Sequence, residues 1–310
     1  MTLTQLEYIV ALDTHRHFML ASEKCFVTQP TLSMQIQKLE EELGVKIFDR
    51  TKQPVIPTEI GTRIIAQARV ILREAGGIKQ LITEQKDTMS GEIRIGIIPT
   101  LAPYLLPSLF KNIREKYPKV NLVVREIITE DVVQELKNNK LDCGIVVTPL
   151  KDPSIKEDVL FYEELFVYVS KKNALVDKKY ILPTEIDPNQ LWLLEEGHCF
   201  RSQILNLCEL RKHSNLSFKY ETGNIETLKR MVDKSDGLTI LPELAVMEFS
   251  PAQMKLVKHL KEPSPVREVS LVTHRDHLKT RLIKILKEEI LLLVPKQMQK
   301  LLKKRVVEIY

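Results

Sequence analysis

The chain has 310 residues, 44% of them hydrophobic and 28% charged, with a formal net charge of +5. This composition is that of an ordinary globular protein with length for about two domains, and it excludes a disordered, collagen-like or disulfide-dense chain. The first eighteen residues carry Glu7 and Asp13 without a basic start, and the longest late apolar run, 290–294, is far too short to cross a bilayer, so neither a signal peptide nor a membrane partner is expected and the location follows as cytoplasmic.

Four cysteines without a dense framework fit a reducing compartment, where a cysteine pair is regulatory or metal-binding sooner than structural. The positive charge is unevenly placed. Residues 1–57 carry Arg16, Lys24, Lys38, Lys46, Arg50 and Lys52 against Glu7, Asp13, Glu23, Glu40, Glu41, Glu42 and Asp49, whereas the last sixty residues are strongly basic. Charge alone would place nucleic acid at the wrong end of the chain.

In chain order, three short helical patterns come first. Leu3, Leu6, Ile9 and Val10 form one stripe, Phe18, Ala21, Ser22 and Cys25 a second, and Thr28-Gln29-Pro30 opens a third with a capping threonine and a first-turn proline. In the third, Leu32, Ile36, Leu39 and Leu43 share a face and Gly44 ends it. The opposite face shows Gln29, Pro30, Thr31, Ser33, Met34, Gln37 and Lys38, small and polar enough for base edges, with Met34 able to meet a thymine methyl. Residues 46–57 then read as a short β-wing with Arg50 and Lys52 placed for phosphates. On spacing alone the pattern is a helix-turn-helix or a plain three-helix bundle.

From residue 58 to about 87 runs a long helix with Ile60, Ile64, Ala68, Ile71 and Ala75 on one face and Gly76-Gly77 near its end. After it, strands are expected at 93–98, 120–127, 143–147, 165–170, 192–194, 218–221, 238–241 and 269–273. Helices are expected at 103–116, 131–139, 200–210, 225–234 and 279–293. That alternation argues for a mostly parallel sheet in two lobes with a cleft. Beyond residue 295 comes a basic amphipathic segment, read as a solvated terminal helix.

The stretch 197–208 stands out. His198 and Arg201 flank Cys199, and such neighbours favour a thiolate; the N-terminus of the helix that Phe200, Ile204, Leu207 and Cys208 imply favours it further. An intact helix would hold Cys199 and Cys208 roughly 13 Å apart, beyond the ~7 Å that a disulfide spans. Bonding would therefore require unwinding. The plainer reading is a core cysteine and an unrelated surface one. A metal site of His198, Cys199, Cys208 and His213 has awkward spacing, so no metal and no cofactor is expected.

Residues 6–11 (Leu-Glu-Tyr-Ile-Val-Ala), Ala21-Ser22, Gln29-Pro30-Thr31-Leu32-Ser33, Ile36-Gln37-Lys38-Leu39-Glu40, Leu43-Gly44 and Phe48-Asp49-Arg50 resemble the winged helix-turn-helix of LysR-type transcriptional regulators. The resemblance implies an α+β multidomain chain: an all-α winged helix-turn-helix DNA-binding domain (1–57), a linker and dimerisation helix (58–90), and a two-lobed α/β regulatory domain like a periplasmic binding protein (91–310, with the basic tail from about 295). It makes the helix from Gln29 the recognition helix. Gly91 to Thr100, Pro103-Tyr104-Leu105-Leu106-Pro107, Lys140 to Cys143, and Leu194 to Arg201 with Cys208 resemble the hydrogen-peroxide-sensing OxyR branch of that family.

That second resemblance implies a redox-sensing transcription regulator and not an enzyme, with Cys199 peroxidatic and Cys208 resolving. Thr100, Thr129, His198, Ser202, Gln203 and Arg267 would line a peroxide pocket. Ser202 stands where members of that branch commonly have aspartate, which puts any role of that carboxylate in doubt. The implied partners are promoter DNA, a second copy through the linker helix and a tetramer beyond it, RNA polymerase, and thiol reductants of the glutaredoxin or thioredoxin kind. A LysR-type regulator answering a small metabolite in the cleft is the alternative.

Overall fold

The structure is a computed structural model that describes residues 1–84, 89–208, 223–275, 277, 279–301 and 305–307. The chain divides into two compact units, Met1–Asp87 and Thr88–Tyr310. The expected strand 218–221 and His213 lie outside the described residues.

In the first unit, α1 (Leu3–His15), α2 (Phe18–Lys24) and α3 (Gln29–Leu43) are followed by β1 (Phe48–Asp49), β2 (Ile56–Pro57) and α4 (Glu59–Glu84). Local chemistry sets the boundaries. Thr2 and Gln5 form a capping box on α1, and Thr28 caps α3, which ends on Gly44 at φ 67°, a backbone state that glycine reaches without strain. Leu6, Ile9, Leu12, Leu32, Ile36 and Leu39 are buried together with Ile47, Phe48, Ile65 and Ala68, so α4 closes the small core. β1 and β2 pair antiparallel, Phe48 opposite Pro57, as the expected wing. Within α4, Ile60 is 40% exposed, and the helix runs on through Gly76 and Gly77.

The second unit is built on β3 (Gly91–Ile97), β4 (Val120–Glu126), β5 (Cys143–Thr148), β6 (Ile155–Val169), β7 (Tyr180–Ile181), β8 (Leu191–Trp192), β9 (Leu238–Pro242), β10 (Val257–Leu260), β11 (Pro265–His274) and β12 (Arg305–Val306). Its helices are α5 (Ala102–Lys116), α6 (Thr129–Lys137), α7 (Cys199–Leu207), α8 (Ile225–Lys234), α9 (Glu243–Val246), α10 (Pro251–Met254) and α11 (Thr280–Leu293). The sheet order is β4-β3-β5-β11-β6-β10-β7, with β12 on β11 and β9 joining β6 to β8.

Two cores form in this unit. One gathers Ile93, Ile95, Ile97, Val132, Ile145, Leu286 and Ile290, the other Leu165, Val167, Tyr168, Phe200, Ile204, Leu238 and Ile240. β6 feeds both, giving Leu160 and Phe161 to the first and Leu165 to Val169 to the second.

The expectation of a mostly parallel sheet is corrected here. The sheet is mixed: β3 pairs parallel with β4 and β5, β7 with β10, β8 with β9 and β12 with β11, but the long central pairings, β11 with β5 and β6 and β6 with β9 and β10, are antiparallel. The cause is β6, expected at 165–170 but 15 residues long; its first half alternates too weakly, through Lys156, Glu157 and Asp158, to read as a strand. The tail is corrected as well. Lys296–Gln299 makes a short helical turn with Met298 fully buried, residues 302–304 lie outside the described residues, and Arg305–Val306 is a strand parallel to β11 with Val307 buried, so the segment is not one solvated helix.

Candidate functional site

Along α3 the apolar face buries Leu32, Ile36 and Leu39, which leaves Gln29, Pro30, Met34 and Lys38 exposed and Thr31 and Ser33 half-buried on the outward side. All the residues expected to meet DNA on this helix therefore share one accessible surface. Arg50 joins them from the wing, but it is held. Its guanidinium donates to Glu40 (3.2 Å) and to Ser33 Oγ (3.4 Å) and lies 5.5 Å over the Phe18 ring. Glu40, 2% exposed, also accepts the backbone N–H groups of Ile47 (2.8 Å) and Phe48 (3.2 Å). Wing and α3 are thus tied through one buried carboxylate, an arrangement the sequence reading missed.

In the second unit, β6, the loop that follows β3, and α7 meet at Arg267 of β11. β6 and β11 place Glu163 and Arg267 directly opposite each other, both fully buried. Arg267 Nε donates to Glu163 Oε2 at 2.8 Å and Nη2 lies 2.7 Å from the same oxygen. Nη1 donates to Thr100 Oγ1 at 2.8 Å, and Nη2 to the Thr100 carbonyl at 3.2 Å. The Leu244 N–H at the head of α9 satisfies Glu163 Oε1 at 2.8 Å. The guanidinium also sits 5.0 Å over the Phe200 ring. A buried charge is tolerable only when paired and hydrogen-bonded in this way.

Cys199 is the first residue of α7, with His198 as its N-cap. Thr129, at the start of α6, donates its hydroxyl to Cys199 Sγ at 3.6 Å. Although part of the residue reaches the surface, burial of the sulfur pushes the Cys199 thiol up; the Thr129 hydroxyl, the Arg267 charge and the α7 backbone N–H groups pull the other way without prevailing. The expectation of a favoured thiolate is therefore not met in this conformation. Arg201 is turned away and donates to the Leu194 carbonyl at 2.8 Å, while His198 is buried with Nε2 3.5 Å from Glu195 Oε1. A residue two positions along a helix points to another side, so the nearer cation in sequence is not the one that acts.

This sets a pH dependence. Because only the thiolate attacks and the thiol's pKa is raised, the rate of Cys199 modification should climb about tenfold per pH unit from pH 7 to beyond pH 9. Peptide-resolved labelling by mass spectrometry measures it; a rate that levels off below pH 7 contradicts it.

Cys208 caps the other end of α7, buried beside Phe200 and Ile204, its thiol pushed up to about 12 by burial. The intact nine-residue helix holds it apart from Cys199, and all four cysteines are free. Gln203 is fully buried and reaches the carbonyl of Val307 at 2.8 Å. Ser202 is half-buried and makes no side-chain hydrogen bond among the described residues. Thr129 thus bonds Cys199 and Arg267 bonds Thr100, the two pairs linked by the Arg267 charge acting on the thiol, while Gln203 faces the C-terminal segment and His198 turns to Glu195. Glu163, the counter-charge of Arg267, was missed, because the strand that carries it did not read as one. No cluster of three metal-ligating side chains occurs among the described residues, nor does any helix there have the length and apolarity to cross a membrane.

Residues 3–62 match the family described as "Bacterial regulatory helix-turn-helix protein, lysR family", and residues 86–292 match the "LysR substrate binding domain". The "Hydrogen peroxide-inducible genes activator" of Dickeya chrysanthemi is 35% identical over 88% of this chain and 89% of its own. The same identity and coverage relate the chain to the "DNA-binding transcriptional dual regulator OxyR" of Escherichia coli (strain K12). Among solved structures, "Full-length OxyR C199D from pseudomonas aeruginosa" superposes with a TM-score of 0.81 at 33% identity, covering 94% of each chain. With its helix-turn-helix, its linker helix and its mixed α/β regulatory unit, the chain belongs to the LysR family of bacterial transcriptional regulators, among its OxyR-like members.

Proposed function

We propose that this regulator senses hydrogen peroxide through Cys199 and answers by joining Cys199 to Cys208. The observation that carries the reading is the placement of the two thiols at opposite ends of one short helix, the first within reach of Thr129 and influenced by Arg267. The printed names of the relatives, hydrogen-peroxide-inducible activators, support it.

The chemistry proceeds in two balanced steps. The Cys199 sulfur, its proton lost, gives an electron pair to one peroxide oxygen; the O–O bond breaks, and the departing hydroxide takes up a proton to leave as water. The sulfenic acid then condenses with the Cys208 thiol, forming the S–S bond and releasing a second water. Thr129, Arg267 and Thr100 would supply donors to the reacting sulfur and the peroxide, and Gln203 an acceptor; His198 and Ser202 would complete the proposed pocket. Neutral Ser202 supplies a hydroxyl but no counter-charge.

The second step needs the sulfurs to approach, which an intact α7 forbids at roughly 13 Å. Oxidation thus trades the packed helix for an opened one and biases a two-state element. That change would pass to the α3 surface of Gln29, Pro30, Thr31, Ser33, Met34 and Lys38, with Arg50, on promoter DNA. The acting form would be a cytoplasmic dimer through α4 and a pair of dimers on its sites, engaging RNA polymerase and reset by a glutaredoxin or thioredoxin.

The test is thiol mapping beside DNA footprinting, with and without peroxide. The wild type should lose both free thiols and shift its footprint, Cys199→Ser should do neither, and Cys208→Ser should stop at the sulfenic acid. A Cys199→Ser protein that keeps its full response to a small metabolite, while the wild type ignores peroxide, would instead favour the alternative of a metabolite-driven regulator.

A further inference from the structure

Gln203 stands one helical turn after Cys199, and positions four apart share a helix face. Its amide nitrogen donates to the backbone carbonyl of Val307 at 2.8 Å. A carbonyl can only accept, so this bond settles which way the amide is turned: the NH2 faces the C-terminal segment, and Oε1 faces away from it. That oxygen is buried without a hydrogen-bond partner among the described residues. Folded proteins seldom leave a buried acceptor unmatched, and where they do, an arriving donor is a frequent reason.

The segment that turns the amide is itself firmly placed. Val307 is 6% exposed and belongs to the same core as Phe200, Ile204 and Cys208. Its N–H donates to the Val266 carbonyl at 2.8 Å, and β12 pairs with β11 at Pro265 and Val266, immediately before Arg267. The C-terminal strand therefore lies between the cysteine helix and the strand that carries the buried arginine.

We propose that Val307 is a positioning residue for the peroxide site: its carbonyl holds the Gln203 amide so that Oε1 remains an open acceptor for a ligand O–H, and β12 is part of the sensor. This rests on the peroxide reading above. Hydrogen peroxide brings two O–H donors, and one accepted by Gln203 Oε1 orients the molecule while the Cys199 sulfur takes one oxygen and the other leaves as water. A reagent without O–H or N–H groups gains nothing from that acceptor.

The experiment uses the full chain in a Cys208→Ser background, so that Cys199 stops at the sulfenic acid and is trapped and counted by mass spectrometry. Gln203→Leu, a chain ending after residue 304, and the two combined are each reacted with hydrogen peroxide and, separately, with methyl methanethiosulfonate, which carries no hydrogen-bond donor. Each single change should slow the peroxide reaction about tenfold, the worth of one buried hydrogen bond. The combination should be no slower than either alone, and the thiosulfonate rate should stay within about twofold. Should the shortened chain fail to fold, Val307→Ala, which loosens the strand without deleting it, enters the same comparison with about a threefold slowing expected.

Independent, multiplying effects of the two changes overturn the proposal, as does equal slowing toward both reagents. So does an unchanged peroxide rate. If the Cys208→Ser protein with Gln203 and its C-terminus intact forms no sulfenic acid at all, the peroxide reading falls with it.

Discussion

Replacing Glu163 by alanine is expected to lower the stability of the second unit by about 3–5 kcal/mol, because it strands the Arg267 guanidinium, fully buried, without its counter-charge. The Leu244 N–H loses its acceptor in the same stroke. A leucine in place of both charged residues should cost much less than the single change, since neither group is then left unpaired. Trp192, the chain's one tryptophan, is packed against the second core and reports unfolding of this unit. Urea titration followed by its fluorescence should show the midpoint of Glu163→Ala well below that of the unmodified chain; unfolding free energies agreeing to within about 0.5 kcal/mol would remove the pair from any account of the site.

A second large effect is expected at Gly61, in the first turn of α4. Thr58 donates its N–H to the Ile47 carbonyl (2.9 Å) and its hydroxyl to the Lys46 carbonyl (2.7 Å), while its oxygen accepts the Gly61 N–H (2.9 Å). The helix thereby starts hard against Lys46 and Ile47, the residues leading into the wing. A Cβ at Gly61 would stand 1.9 Å from the Ile47 carbonyl oxygen, which is backbone and cannot swing aside. Gly61→Ala should cost about 3 kcal/mol or more, the upper end for overpacking. It should also weaken DNA binding more than tenfold, because Ile47 is anchored to Glu40 and through it to Arg50 and α3. Binding measured at fixed salt on a promoter fragment decides this; wild-type affinity would mean that wing and α3 are not coupled as the Glu40 contacts imply.

How much of this was legible in the sequence depended on the range of the interactions. The Leu32, Ile36 and Leu39 stripe, the Thr28 cap and the Gly44 stop are local, and they placed α3 to the residue. Phe200 and Ile204 likewise gave α7 and the burial of Cys208, with the helix starting one residue earlier and ending at Leu207. The electrostatics at Cys199 was legible only through the family resemblance, which named Arg267, 68 positions on; periodicity and spacing gave neither that cation nor the Glu163 that counters it across a strand register. Sequence neighbours pointed to Arg201, which geometry sends elsewhere. The Glu163–Arg267 pair, the Glu40–Arg50 tie and the Gln203–Val307 bond join residues distant in sequence. Each depends on tertiary register that no periodicity encodes. The tail illustrates the same limit: its lysines look solvated, while Val307 is captured by a core assembled far upstream.

The placement of α7 has a thermal consequence. Phe200, Ile204 and Cys208 sit in the second core, so a disulfide that opens the helix draws apolar surface out of that core. Exposure of such surface carries a positive heat capacity, and the hydrophobic gain that keeps the helix packed weakens on cooling. The balance between the dithiol and disulfide forms would then drift with temperature even at a fixed thiol redox poise, the oxidised form being favoured in the cold. Were the proposed disulfide switch to operate, it would read peroxide against a background set partly by the warmth of its surroundings.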